Sequence, residues 1–539
     1  MPQPVRILIA DRLAEAALAQ LAGQSGIEVH THLDQNEEQL CRLVPDFDGM
    51  IIRSGVQITA KVLAQPGRLR AIARAGVGVD NVDLDAATAA GVLVMNTPDA
   101  NTISTAELTM GLLLALARKI PYADGLVHHN DFKTGRKTGV GTQLAGKTLG
   151  IIGVGRIGRA VARRALAFEM NLLGYDPFFK GESLLDGQLK MLPTLEELLP
   201  RIDFLTIHTP LTDQTAGTIN PQRIELLKPT AMLVNAARGG LYDELAVAEA
   251  LNRGRIAGAA FDVFTTEPPP PDHPLLTAKN AVLTPHLGAS THEAQLAVSC
   301  EAVDAMLDYL LHDRIRGAVN IAGLPTSYSA RDRREIDLVT RLARIARPLA
   351  VSGLSRITLR TSSASPEMAQ ALLRFALIEL LRNAMDTAPN LINVERLASE
   401  YGIAFSSSAQ EAALAGPEKL TLDVQYAGGE VSVEGAVYHG VDDLPRLLNI
   451  SGYRMDLVPV GHMLLVFNHD RPGVVGRVGM LLGELGVNIA DMALSRLADK
   501  AMMALKLDAA LPPPALNALC SLEPVRHAHQ VCLPPLMDH

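Results

Sequence analysis

Short apolar runs separated by polar or helical stretches set the rhythm of the first hundred residues: Val5 to Ala10, Met50 to Ile52, Leu69 to Ala73 and Val92 to Met95. That spacing predicts a parallel sheet with crossover helices. Asn96-Thr97-Pro98 breaks the pattern and predicts a hinge. Beyond it, Ser104-Thr105-Ala106-Glu107 opens a helix that is apolar on nearly every side as far as Arg118, with Ser104 as its cap and Glu107 at the capping-box offset. A helix of this kind is buried, either in the core or against a second subunit. Residues 120–147 read as a polar, basic connection containing Lys133, Arg136 and Lys137.

The second half of the pattern begins with Thr148-Leu149-Gly150-Ile151-Ile152, a glycine-rich turn and an alanine-rich helix, and then another apolar run, Asn171 to Tyr175. Four more runs follow, at Phe204 to Ile207, Ala231 to Val234, Gly258 to Phe261 and Ala281 to Leu283, each ending in polar or charged residues. These predict a second parallel sheet. The pattern is different over residues 320 to 455. An amphipathic helix is predicted around Glu367 to Met385, and Tyr426-Ala427-Gly428-Gly429-Glu430-Val431 joins two alternating runs as a hairpin. No cluster of chemically active residues stands out there. The last 80 residues read as strand (Met463 to Phe467), loop with Pro472-Gly473, helix to about Leu485, and strand from Val487.

Length and composition narrow the class. A chain of 539 residues is too long for one core and predicts three or four domains. Hydrophobic residues make up 48% and charged residues 20%, which suits a globular protein. The longest apolar stretch, Leu108 to Ala117, is half a membrane span, and Val5-Arg6-Ile7-Leu8-Ile9 lacks the pattern of a signal peptide, so neither membrane nor export is expected. Cys41, Cys300, Cys520 and Cys532 are scattered without metal or disulfide spacing and read as reduced cytoplasmic thiols. A net charge of −9 and 4% aromatics argue against nucleic acid. An anionic ligand would need a local cluster of arginines.

Candidate chemistry gathers around Gly153-Val154-Gly155-Arg156-Ile157-Gly158. The first glycine permits a tight turn, the second lets a pyrophosphate approach the backbone, and the third lets the helix pack on the strand. The helix N-terminus then offers free N–H groups to the phosphates. Asp176 stands 18 residues beyond Gly158, where its carboxylate takes ribose hydroxyls and repels a 2′-phosphate, so the pattern points to NAD rather than NADP. Two strand ends of the first sheet carry arginine, at Arg53-Ser54-Gly55 and Arg74-Ala75-Gly76, where ligands of open α/β sheets bind. In the second sheet, Arg238, Glu267 and His286 follow three neighbouring strands.

The segments GVGRIG, YDP, HTPLT, NAARGG, FDVFTTEP and TPHLGA resemble those of the NAD-dependent D-2-hydroxyacid dehydrogenases over residues 1 to about 320. The resemblance implies a cofactor domain inserted into the substrate domain, with a helix from Thr291 to Leu311 returning to the first lobe. The terminal segment resembles the ACT module, which binds amino acids at module interfaces. The implied architecture is α/β, with two doubly wound parallel-sheet domains: a substrate domain over 1–98 and 289–320, and a Rossmann domain over 99–288. An α+β intervening domain over 321–455 and a ferredoxin-like ACT domain over 456–539 complete it. This order resembles the long members of the family that oxidise 3-phosphoglycerate and respond to L-serine. A glycerate or lactate dehydrogenase, or an NADH-sensing corepressor, are the alternatives, and a homodimer or homotetramer is expected.

Roles follow from that resemblance together with the side-chain chemistry. His286 serves as general base for the alcohol, Glu267 accepts its other ring N–H, and Arg238 offers a planar fork for a carboxylate. NAD would also meet Thr209, Pro210, Ala236, Asp262, His286 and Gly288, with Asp262 on the nicotinamide carboxamide. Arg53, Ser54, Arg74, Gly76, Asn101 and Arg136 would bind the substrate with Arg238. Around Arg136 the sequence departs from the family pattern, since Phe132 or Thr134 stands where a tryptophan is expected. Asn468, Asp470 and Asn488 are the candidate serine ligands.

Overall fold

The computed structural model describes residues 4–321, 323–325, 328–350, 352–362, 365–382, 384–385, 387–409, 418–438 and 444–536. Strands β1 (Val5–Ile9), β2 (Ile27–Thr31), β3 (Gly49–Ile52), β4 (Ala71–Arg74) and β5 (Leu93–Asn96) form a parallel sheet in the order β2-β1-β3-β4-β5. Its inner strands are covered on both faces, which is why they read as unbroken apolar runs. The sequence pattern does not announce β2, IEVHT, because it is the edge strand and its polar residues face water.

The second sheet runs β13-β12-β11-β10-β6-β7-β9-β8. It comprises β6 (Thr148–Ile152), β7 (Asn171–Tyr175), β8 (Ser183–Leu184), β9 (Leu189–Met191), β10 (Phe204–Ile207), β11 (Met232–Asn235), β12 (Gly258–Phe261) and β13 (Ala281–Leu283). All its pairings are parallel except β8 with β9. The strand order reverses between β6 and β10, so a crevice opens beyond their carboxyl ends.

The helix expected from Ser104 spans Thr102–Ala117 and packs on helix Arg156–Ala167 and on β11 to β13. Ser104 is not its cap. It lies within the first turn with a buried hydroxyl that has no partner, and Asn101 occupies the cap position without a side-chain capping bond. This end of the helix faces the crevice between the lobes. Residues 120–147 are not a plain connection either. Helices Ile120–His128 and Phe132–Thr138 form there and leave Ile120, Tyr122, Val127, Phe132 and Val140 exposed. Their apolar positions are too diluted by polar residues to announce a helix.

Thr291 caps helix His292–His312, which returns to the first lobe and packs against β3, β4, β5 and helix Glu15–Ala22. Val298, Ala302 and Met306 share one core with Ile7, Ile9 and Ile51. The cofactor sheet is therefore an insertion between two parts of the first lobe.

The third sheet runs β15-β14-β16-β17-β18-β19, built from β14 (Leu354–Thr361), β15 (Ala404–Ala409), β16 (Glu418–Tyr426), β17 (Gly429–Val437), β18 (Pro445–Ile450) and β19 (Tyr453–Leu457). The hairpin read at Tyr426 to Val431 joins β16 to β17. The amphipathic helix spans Pro366–Leu381, ending before Met385. The fourth sheet, β21-β22-β20-β23, contains β20 (Gly461–His469), β21 (Ile489–Leu497), β22 (Lys500–Leu507) and β23 (Val525–Leu533). With helices Val474–Glu484 and Pro513–Cys520 it is the βαββαβ arrangement of a ferredoxin-like module.

These last two sheets share a core. Met463, Leu465, Phe467, Met502 and Ala504 of the fourth sheet pack with Leu338, Leu342, Leu447 and Leu457. Arg341 crosses this boundary with its side chain 0% exposed. Its Nε donates to Asp337 at 2.7 Å, Nη1 to the Pro459 and Pro534 carbonyls and Nη2 to the Pro535 carbonyl, each at 2.8 Å. One buried cation, with its charge and its hydrogen bonds met, thereby ties both ends of the terminal module to the helix that supports the third sheet. Among the described residues, no helix is long and apolar enough to cross a membrane.

Candidate active site

Strand ends of both lobes meet at a cavity of about 650 Å³. Arg53, Ser54, Arg74 and Gly76 line it from the first sheet, and Asn101 lines it from the hinge. Arg156, Ile157, Thr209, Pro210, Ala236, Arg238, His286 and Gly288 line it from the cofactor lobe. Residues 233 positions apart, Arg53 and His286, are brought to one space by the insertion of one sheet into the other.

The glycine turn behaves as a dinucleotide cradle. Gly153 has φ +85°, and a Cβ there would lie 2.7 Å from the His208 carbonyl oxygen. A Cβ on Gly158 would lie 2.1 Å from the Gly153 carbonyl oxygen, so helix and strand touch there. At Gly155, by contrast, a Cβ would meet nothing within 4 Å, which is the open approach a pyrophosphate needs. Asp176, just past β7, accepts from Val154 N at 3.0 Å and Phe178 N at 2.9 Å. Its carboxylate is thus fixed beside the turn. Thr209 Oγ1 and His208 Nδ1 are buried without partners, and burial pushes the His208 imidazole down to about 3, so that ring stays neutral. These orphaned polar atoms and the open turn fit NAD.

The His–Glu pair forms. His286 Nδ1 lies 2.6 Å from Glu267 Oε2, while Glu267 Oε1 accepts from Phe264 N at 3.0 Å. Glu267 therefore holds one ring nitrogen, and Nε2 is left for a ligand. His286 has φ +55°, a left-handed conformation costly for a side chain with a Cβ.

Asp262 holds the turn that imposes this conformation. Its Oδ1 accepts from Thr284 Oγ1 at 2.6 Å and Leu287 N at 2.7 Å, and its Oδ2 accepts from Gly288 N at 2.9 Å. Burial raises its pKa above the usual carboxylate range despite those bonds. Asp262 is fully buried and does not itself line the cavity, whereas His286 and Gly288, which its backbone and carboxylate hold, do; its Oδ2 accepts a single bond, and a contact with the nicotinamide carboxamide is a proposal.

Across the cavity, guanidinium groups crowd together. Arg238 Nε donates to Asp80 at 3.1 Å and Nη1 to the Ala237 carbonyl at 2.7 Å. Arg74 is half-buried, and burial together with the charges of Arg238 and Arg53 pushes it down to about 10. Its Nε has no hydrogen-bond partner. Gly76 has φ +146°, a conformation that L side chains rarely adopt, and the Arg74 guanidinium lies over it in the space a Cβ would take. Asn101 Oδ1 is also buried without a partner. Asp80, which sequence reasoning did not single out, supplies a carboxylate to Arg238 in the place where a substrate carboxylate would compete. Its signal was visible in Gly78-Val79-Asp80 but could not be assigned before the lobes were brought together.

Arg136 is not at this site. It lies exposed on helix Phe132–Thr138 and does not line the cavity. The terminal-module candidates do not converge within one chain. Asn468 pairs in register with Ala501, whereas Asn488 precedes Ile489, which pairs with Leu507. Six residues of extended strand separate these points by about 20 Å. Asn468 Oδ1 is buried without a partner, Asp470 bridges to Arg496 at 3.3 Å, and Asn488 donates to Asp508 at 3.0 Å.

Residues 110–288 match the family described as D-isomer specific 2-hydroxyacid dehydrogenase, NAD binding domain, and residues 462–524 match the ACT domain. The chain is 37% identical to a D-3-phosphoglycerate dehydrogenase of Methanocaldococcus jannaschii, over 96% of this chain and 97% of that one. It is 38% identical to one of Rattus norvegicus, over 92% and 93%. Among solved structures it is similar to a glyoxylate reductase from Paecilomyes thermophila, with a TM-score of 0.54 and 28% identity over 59% of this chain and 99% of that one. It is also similar to an acyclic imino acid reductase in complex with NADPH and D-Arg, with a TM-score of 0.52 and 26% identity over 58% and 100%.

Because one such neighbour carries NADPH, cofactor choice falls to the residue after β7. A carboxylate fixed by two backbone N–H groups repels a 2′-phosphate, and Pro177 rather than an arginine follows it immediately. NAD is expected to exceed NADP in kcat/KM by on the order of a hundredfold, and Asp176→Ala to narrow that ratio. Steady-state kinetics with both cofactors check this, and equal efficiency in the unaltered protein would contradict it.

Proposed function

This chain belongs to the D-3-phosphoglycerate dehydrogenases of the D-isomer specific 2-hydroxyacid dehydrogenase family, and on that premise we propose that it oxidises 3-phospho-D-glycerate to 3-phosphohydroxypyruvate with NAD, the first step of L-serine biosynthesis. The observation that carries the substrate is the convergence of Arg53, Arg74 and Arg238 at one cavity, with Arg74 short of partners. A substrate bearing a carboxylate at one end and a phosphate at the other supplies the missing anions. Its carboxylate takes Arg238, and its phosphate takes Arg53 and Arg74.

NAD, when bound, accepts the hydride that leaves the alcohol carbon. His286 Nε2 takes the hydroxyl proton as the C–O bond becomes a carbonyl, and Glu267 stabilises the resulting imidazolium at Nδ1. Arg238 adds positive potential beside the carbonyl oxygen. Asp262 acts one step back, by keeping the His286 turn in its left-handed shape.

A second copy of the chain would cover Ile120, Tyr122, Val127, Phe132 and Val140, which supports a homodimer or homotetramer. Arg136 lies on that same face, so any part it takes in phosphate binding runs across a subunit contact. All four cysteines are free, in keeping with a cytoplasmic location. L-Serine is the proposed effector. A site using Asn468, Asp470 and Asn488 together requires two terminal modules side by side, and the exposed Met492 and Leu494 on edge strand β21 favour such pairing. Serine then acts by binding the less active arrangement more tightly, with a coupling of about 1 to 3 kcal/mol.

NADH formation from a panel of 2-hydroxy acids tests the substrate. 3-Phosphoglycerate is expected to exceed glycerate and lactate, and His286→Ala to lose about 10²- to 10⁴-fold in kcat. Turnover that favours an unphosphorylated acid would replace the substrate, and peptide binding without turnover would favour a corepressor. For the effector, calorimetry is expected to show serine binding to the full chain and its loss in Asp470→Ala. No heat at millimolar serine in the unaltered protein would remove the regulatory part and leave the dehydrogenase standing.

A further inference from the structure

Glu244 takes no part in the chemistry above, yet it is a carboxylate only 7% exposed in the cofactor lobe. It is the first residue of helix Glu244–Arg253, six positions past Arg238 on the arm that follows β11. Its Oε1 accepts two hydrogen bonds from Thr265, one from the backbone N–H and one from the hydroxyl, both at 2.8 Å. Its Oε2 lies 2.8 Å from His273 Nε2. His273 Nδ1 accepts from Leu275 N at 3.4 Å, so the ring proton sits on Nε2 and points at Glu244. The same ring stands edge-on to Phe264 at 5.7 Å.

Thr265 is two residues from Glu267, and the Phe264 N–H that precedes it donates to Glu267 itself. The arm and the loop also touch directly. A Cβ on Gly239 would fall 2.0 Å from the Phe264 carbonyl and 2.3 Å from Thr265 N, so the chain carrying Arg238 lies hard against the chain carrying Glu267. Glu244 closes this contact from the far side. A buried carboxylate with three donors is a rigid joint, since removing it leaves those donors unsatisfied.

We infer that Glu244, oriented by His273, is a positioning residue that holds the 264–267 loop so that Glu267 stays on His286 Nδ1 while Arg238 keeps its place. The inference rests on the roles proposed above for His286 and Glu267. It assigns no contact with substrate to Glu244, whose effect passes through Glu267.

The test is steady-state kinetics of full-length Glu244→Ala, Glu267→Ala and the double variant, with KM measured for both substrates. Displacing a catalytic group by about an ångström costs up to 10²-fold, so Glu244→Ala is expected to lower kcat by on the order of tenfold or more while the KM for NAD stays within about twofold. Because Glu244 acts through Glu267, the same change in the Glu267→Ala background is expected to alter kcat by less than about twofold. If Glu244→Ala does not accumulate as folded protein, Thr265→Val, which loses one of the two bonds and keeps the N–H, is compared in both backgrounds in its place, with a smaller drop of the same kind. An equal loss in both backgrounds, or an unchanged kcat in folded enzyme, overturns the inference. If Glu267→Ala itself keeps its rate, the His286–Glu267 assignment fails first, and the inference falls with it.

Discussion

Three guanidinium groups share one cleft, and the two lobes that carry them cannot be understood apart from that crowding. Arg74 is pushed down to about 10 by burial and by its neighbours Arg238 and Arg53. Asp80 meets Arg238 at 3.1 Å, but Arg74 keeps an Nε without a partner. In a chain whose net charge is −9, such a local crowding of positive charge, offset only in part by Asp80, favours an incoming anion. Each charge-assisted bond so formed is worth roughly 1.5 to 3 kcal/mol.

The fold places that excess opposite the chemistry. Arg53 follows β3 and Arg74 ends β4 of the first sheet, while Arg238, Glu267 and His286 follow β11, β12 and β13 of the second. Parallel strands put all their carboxyl ends on one edge, so one insertion suffices to bring two such edges face to face. Asp262 then converts sheet geometry into side-chain geometry, by gripping Leu287 N and Gly288 N and leaving His286 in a left-handed turn. The ring is aimed by backbone.

Much of this was legible in the sequence because the inner strands are buried on both faces and end in polar residues. The glycine turn, Asp176, and the Arg, Glu and His after successive strands all lie where the pattern put them. Legibility failed where tertiary contacts override local signals. Ser104 has the spacing of a cap but lies inside a helix whose end faces the cleft. Asp262 has the position of a cofactor ligand, and its grip on the turn after β13 could not be read from the spacing. Arg136 sits on an exposed helix away from the cavity, and Asn488 lies at the opposite end of β22 from Asp470, because strand register cannot be read from residue spacing alone. The boundary near residue 455 falls inside β19, and the sheets on either side of it share a core clamped by Arg341.

On the proposed substrate, the arginines of the cleft, Arg74 above all, read the phosphate. The most direct test is equilibrium binding of 3-phosphoglycerate and of glycerate to the unaltered chain and to Arg74→Met. Arg74→Met is expected to weaken 3-phosphoglycerate by about tenfold to a hundredfold and to leave glycerate nearly unchanged. An equal loss for both ligands, or no loss for either, would contradict it.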